Sequence, residues 1–200
     1  MSDELVELKA RYERLKLLYQ VGNIIHSTLD PQEALLLIVR EAVQLVHIDA
    51  AHSDGDTIVF FRRSDVVSTG AIFDARGYPR FDPAQGGSIA GVIEGLNRVL
   101  DITVPGENQE GGTVVIPGRG RLSDETDVAN YRDMVTIVRD RVRAMVAKGL
   151  SRQQVRQARP TSDYDGLFDA AKDWTPEMFV DAIYSDLTRS REQGSAGSKR

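Results

Sequence analysis

Few side chains in this sequence could carry chemistry. Its 200 residues contain no cysteine, which excludes disulfides, thiolate nucleophiles, cysteine zinc sites and iron–sulfur clusters. The three histidines, His26, His47 and His52, bound any imidazole metal site. His52 has carboxylates nearby in Ala51-His52-Ser53-Asp54-Gly55-Asp56, so a weak metal site of His52 with Asp54 and Asp56 is one reading. The other is that these side chains hydrogen-bond a tight turn ahead of a strand. His26 and His47 stand alone and read as surface or helix-packing residues. Gly86-Gly87 and Gly111-Gly112 lack the spacing of a phosphate-cradling loop and read as helix-start and turn chemistry.

The composition sets the frame for these residues. With 41% hydrophobic and 28% charged residues, the chain has material for one core, or one core and an appendage. A net charge of -5 argues against a protein that wraps nucleic acid or binds an anionic membrane through a general positive field. The basic stretches Arg139 to Arg143 and Arg152 to Arg159 read as solvent faces of helices. The start, Met1 to Lys16, is charged without an apolar signal core, and no window approaches the ~18 apolar residues of a membrane span. The expectation is a cytoplasmic protein with no nucleic-acid or membrane partner.

The elements that must position any site follow from periodicity. Leu5, Leu8, Tyr12, Leu15 and Tyr19 recur at alternating spacings of three and four, the seam of a coiled coil and a candidate dimerisation surface. Asp30-Pro31-Gln32-Glu33 is a helix start, and a second helix runs to about Ala42. From Val43 the period becomes that of strands: Val43 to Ile48, Thr57 to Phe61, Asp65 to Val67, and Thr113 to Ile116. A helix opens at Ser88 and runs to about Leu100. A long one, capped by Ser123 and stopped by Gly149, carries Tyr131, Met134, Val135, Val138, Val142, Met145 and Val146 at helical spacing. Ser151 to Gln154 forms a capping box for a short helix, and a final amphipathic helix follows Trp174-Thr175-Pro176. The tail 189–200 is rich in Ser, Gly and charge and is expected to be disordered.

Two resemblances meet near residue 43. Leu17 to Asn23, Leu29-Asp30-Pro31-Gln32-Glu33-Ala34-Leu35 and Arg40-Glu41-Ala42 resemble the signalling helix and first helix of a GAF domain, which assigns residues 1–42 to a GAF-like helical leader. No six-stranded GAF sheet follows, so this likeness implies no ligand pocket. The motifs Ala51 to Asp56, Phe60-Phe61, Ser68-Thr69-Gly70, Gly86-Gly87-Ser88-Ile89, Val115-Ile116-Pro117-Gly118, Tyr131 to Met134 and Trp174 to Tyr184 together resemble the C-terminal half of a metallo-β-lactamase-fold hydrolase, over residues 43–188. That resemblance implies an α/β (α+β) chain forming half of a four-layer αββα sandwich, with metal ligands on loops at one edge of the sheets.

The family's metal ligands carry over only in part. His52 matches the first ligand of the second half, Ala71 stands where the family has a bridging Asp, and Arg119 stands where it has a His. The H-x-H-x-D-H loop of the first half is absent. A catalytic zinc keeps three protein ligands plus water, and a guanidinium cannot coordinate and repels a cation. The resemblance therefore implies a degenerate hydrolase with no cofactor, working as a structural or self-associating module. The vacated site leaves Arg119 and Arg121 as candidates for an anionic ligand. Half a sandwich exposes the sheet face that meets the missing half, which adds a second surface to the N-terminal helix for a homo-oligomer. The alternative is a zinc-dependent hydrolase whose site is completed by a second chain.

Overall fold

A computed structural model describes residues 43–108, 111–168 and 173–197, with side chains to Arg189. The 1–42 leader, the seam Leu5, Leu8, Tyr12, Leu15 and Tyr19, and the GAF-like motifs lie outside the described residues. The described chain is a mixed α+β fold with a four-stranded sheet and five α-helices.

The β-branched and aromatic runs form the sheet. Strands β1 (Val43–Ile48) and β2 (Asp56–Phe61) pair antiparallel from Val43 opposite Phe61 to Ile48 opposite Asp56. β3 (Val66–Ser68) pairs antiparallel with β2, and β4 (Val114–Ile116) pairs parallel with β3, in the order β1-β2-β3-β4. A parallel neighbour needs a crossover, and helix α1 (Ile89–Ile102) lies within it. Alternation turns Ile48, Ile58, Val67 and Val115 into the core, each no more than 5% exposed. The opposite face carries Leu45, 68% exposed, with Val59, Val114 and Ile116 half-buried.

The helices close over the core face. In α1, Ile89, Val92, Leu96 and Val99 are buried at spacings of three and four, and the Ser88 hydroxyl accepts the Gly91 amide at 2.9 Å as its cap. Helix α2 (Glu125–Ala147) buries Val128, Tyr131, Met134, Val135, Val138, Val142 and Val146. Its cap is Asp124, not Ser123. The Asp124 carboxylate accepts the Asp127 amide at 2.9 Å, and the Asp127 carboxylate accepts the Asp124 amide in return. Ser123 pairs instead with Val115, exchanging backbone bonds of 2.8 and 2.9 Å, so a residue of cap type serves the sheet. The helix ends as expected at Gly149: its φ is 78°, its amide donates to Val146, and the Leu150 amide donates to Met145.

Short helices α3 (Arg152–Gln157) and α4 (Asp165–Phe168) lead to α5 (Pro176–Gly197). The reciprocal Ser151–Gln154 box caps α3. The backbone of α5 stays helical past Arg189 into the segment whose composition reads as disordered; Arg, Glu and Gln are good helix formers and no proline interrupts them. Among the described residues no helix is long and apolar enough to cross a membrane.

An aromatic cluster joins these helices to the 73–81 loop. Phe73 meets Tyr131 edge-on at 5.0 Å, Tyr131 meets Phe168 at 5.4 Å, and Tyr78 stacks on Phe179 at 4.9 Å. The Tyr131 hydroxyl donates to the Gly77 carbonyl at 2.9 Å. These rings pack the loop against α2, α4 and α5.

Asp186 on α5 accepts the Ile89 amide at 3.2 Å, a clamp between α5 and the first turn of α1. Burial pushes its carboxyl above the ordinary aspartate range, against the opposing pull of the Ile89 amide and of Arg189. A raised folded-state value means that Asp186 stabilises the fold most when protonated, and that this contribution is lost as pH rises through the folded-state value. Asp186→Asn keeps an acceptor for Ile89 without the charge. Its unfolding free energy should fall less than the parent's between acid and neutral pH, as measured by urea titration across that range.

Candidate functional site

The candidate site lies where the β1–β2 turn meets the carboxyl ends of β3 and β4. His52 sits in that turn, which is clasped from outside: the Asp82 amide donates to His52 at 3.0 Å, the Asp54 amide to Gln85 at 3.1 Å, and the Ser88 amide to Ala50 at 2.8 Å. The His52 Nδ1 lies 2.9 Å from the Arg80 carbonyl. A carbonyl only accepts, so Nδ1 carries the proton and, in the neutral ring, Nε2 is an acceptor.

Ala71 follows β3 in a single turn of 3₁₀-helix, Gly70–Ile72. Thr69 anchors that turn, its amide and hydroxyl both donating to Ile116 at the end of β4, at 3.0 and 3.2 Å. Arg119 follows β4. Its segment runs parallel to residues 73–75, with the Gly118 amide donating to Phe73 and the Ala75 amide to Arg119, each at 2.9 Å. The two loops approach so closely that a Cβ on Gly118 would lie 2.3 Å from the Gly70 carbonyl oxygen, an approach only glycine permits.

These loops line an open cavity of about 350 Å³ bordered by His52, Gly70, Ala71, Phe73, Asp74, Arg80, Gly118 and Arg119. The three positions singled out from the sequence, His52, Ala71 and Arg119, thus share one cavity. Asp54 and Asp56 do not line it: Asp54 is exposed, and the Asp56 carboxylate accepts the Ser53 amide at 2.7 Å inside the turn. Arg121 is likewise elsewhere, paired with Asp127 at 2.6 Å at the start of α2. His47 lies on β1, beside Asp49 at 3.0 Å.

Asp74 and Arg80 line the cavity without having been foreseen. The Asp74 carboxylate accepts the Arg76 amide at 2.9 Å, and the Asp-Ala-Arg-Gly run carries that turn signal in the sequence. Arg80 has no comparable local signal. Its guanidinium grips Asp173 with bonds of 2.8 and 3.0 Å and lies 5.7 Å over the Trp174 ring. The Arg80 bonds hold the Asp173 carboxyl below its usual range. Arg119 adds a weaker pull on Asp173, but among the described residues its guanidinium makes no hydrogen bond or ion pair.

Zinc does not fit this donor set. Within the cavity only His52 and Asp74 carry ligating side chains, Ala71 has none to offer, and Arg119 brings a fixed positive charge. Among the described residues no three His, Asp or Glu side chains group closely enough to hold a metal ion.

No family model matches the chain, and no curated protein matches it. Among solved structures the chain is similar to the metallo-β-lactamase VMB-1, crystallised at pH 5.5, with 13% sequence identity and a TM-score of 0.35. That similarity covers 47% of this chain, which spans 40% of the VMB-1 chain.

Proposed function

We propose that this chain is a non-catalytic, self-associating module on a degenerate metallo-β-lactamase-like hydrolase scaffold, half of an αββα sandwich whose metal site has been dismantled. One observation carries the reading. The three positions that correspond to second-half metal ligands line a single cavity, and two of them, Ala71 and Arg119, hold side chains that cannot ligate. Self-association is supported by Leu45, 68% exposed on the sheet face away from the core, and by the heptad-like stripe from Leu5 to Tyr19. The cytoplasm suits a chain with no cysteine. Assays of the purified chain with zinc on a β-lactam, a thioester and a phosphodiester should show no turnover above buffer. Hydrolysis that a chelator abolishes would overturn the reading.

A second reading keeps the enzyme: a zinc-dependent hydrolase whose remaining ligands come from a second chain. The His52 ring favours it, since Nδ1 bonded to a backbone carbonyl is how metal-ligating histidines are commonly oriented. His52→Ala separates the two, costing such an enzyme its metal and activity and leaving a module's association state unchanged.

A further inference from the structure

The cavity at the ends of β3 and β4 combines Arg119, a cation with no ion pair among the described residues, with two acceptors, and we infer that it binds a small carboxylate that also carries a hydrogen-bond donor, such as a hydroxy acid. Arg119 supplies the anion end. Among the described residues it makes no ion pair, whereas Arg80 is occupied by Asp173 and Arg121 by Asp127. A guanidinium matches a carboxylate in a two-bond fork, and a ligand in this cavity would meet it with part of its hydration removed.

The rest of the lining rejects a simple anion. Asp74 offers a carboxylate, with one oxygen committed to the Arg76 amide. Nε2 of His52 in the neutral ring has a lone pair and no proton, because Nδ1–H is spent on Arg80. Two acceptors disfavour a bare carboxylate, and a hydroxyl on the same small molecule supplies the one O–H that turns one of them from a liability into a partner. About 350 Å³ lies at the low end of the ~300–1,000 Å³ of small-molecule sites, consistent with a compact ligand. The inference stands on the cavity alone and needs no zinc, so it is tested in metal-free buffer independently of the proposed function.

The probe is glycolate, titrated into the full chain at constant ionic strength and followed by the His52 ring and the Gly70 and Gly118 amide resonances, with acetate as comparison. Saturable shifts at these groups are expected, with glycolate about tenfold tighter than acetate. Arg119→Gln should weaken glycolate by about tenfold or more, while Arg121→Gln, which removes the same charge outside the cavity, should leave it unchanged. Absence of saturable shifts would overturn the site. Equal weakening by both arginine variants would reduce it to a general field, and equal affinity for acetate and glycolate would remove the donor requirement; either contradicts the inference.

Discussion

Tyr131→Ala should cost about 3–5 kcal/mol of unfolding free energy, the range for truncating a large buried aromatic side chain. Tyr131 is fully buried in α2 and contacts Phe73 and Phe168 at the centre of the aromatic cluster. Its hydroxyl is the partner of the Gly77 carbonyl, and burial pushes the phenol well above its ordinary range, so it remains a neutral donor. Truncation opens a cavity among these rings and strands that carbonyl. Since a domain holds only ~5–15 kcal/mol in total, a large part of the stability would go. Tyr131→Phe keeps the ring and should cost about 1 kcal/mol. Urea unfolding of both variants separates packing from hydrogen bonding. A loss under about 1 kcal/mol for Tyr131→Ala would contradict the packing described.

Combining Ala71→Asp with Arg119→His should create zinc binding. The two substitutions remove the repelling guanidinium and put a carboxylate and an imidazole beside His52, which makes three protein ligands. The backbone is suited to this, because Gly118 against Gly70 brings the two loops within van der Waals contact. One zinc per chain is expected, and zinc at a hundredfold above its dissociation constant would add about 2.7 kcal/mol of stability. Thermal unfolding with and without zinc reads this directly. An unchanged midpoint in the double variant would mean that the loops do not hold a metal-site geometry.

Much of the architecture was legible because local rules and tertiary packing agree. The β-branched runs at Val43–Ile48 and Asp56–Phe61 are strands, and Gly149 and the Ser151–Gln154 box end and begin helices where their chemistry requires. Ser123 misled because Ser123 and Asp124 are adjacent residues of cap type; the reciprocal bonds with Asp127 favour the second, and pairing with Val115 claims the first. His52, Ala71 and Arg119, singled out through motif resemblance, line one pocket. The site was not legible at Asp74 and Arg80, whose place in the cavity depends on the aromatic cluster and on Asp173, 93 residues from Arg80. Arg119 and Arg121, two residues apart in one loop, look equivalent in sequence; only the fold sends one to the cavity and the other to α2.

The most direct test of the proposal that the metal site is dismantled is calorimetric titration of zinc into the unmodified full chain, paired with His52→Ala. No saturable binding near one zinc per chain is predicted, with parent and variant alike. Stoichiometric binding in the parent that His52→Ala abolishes would contradict it.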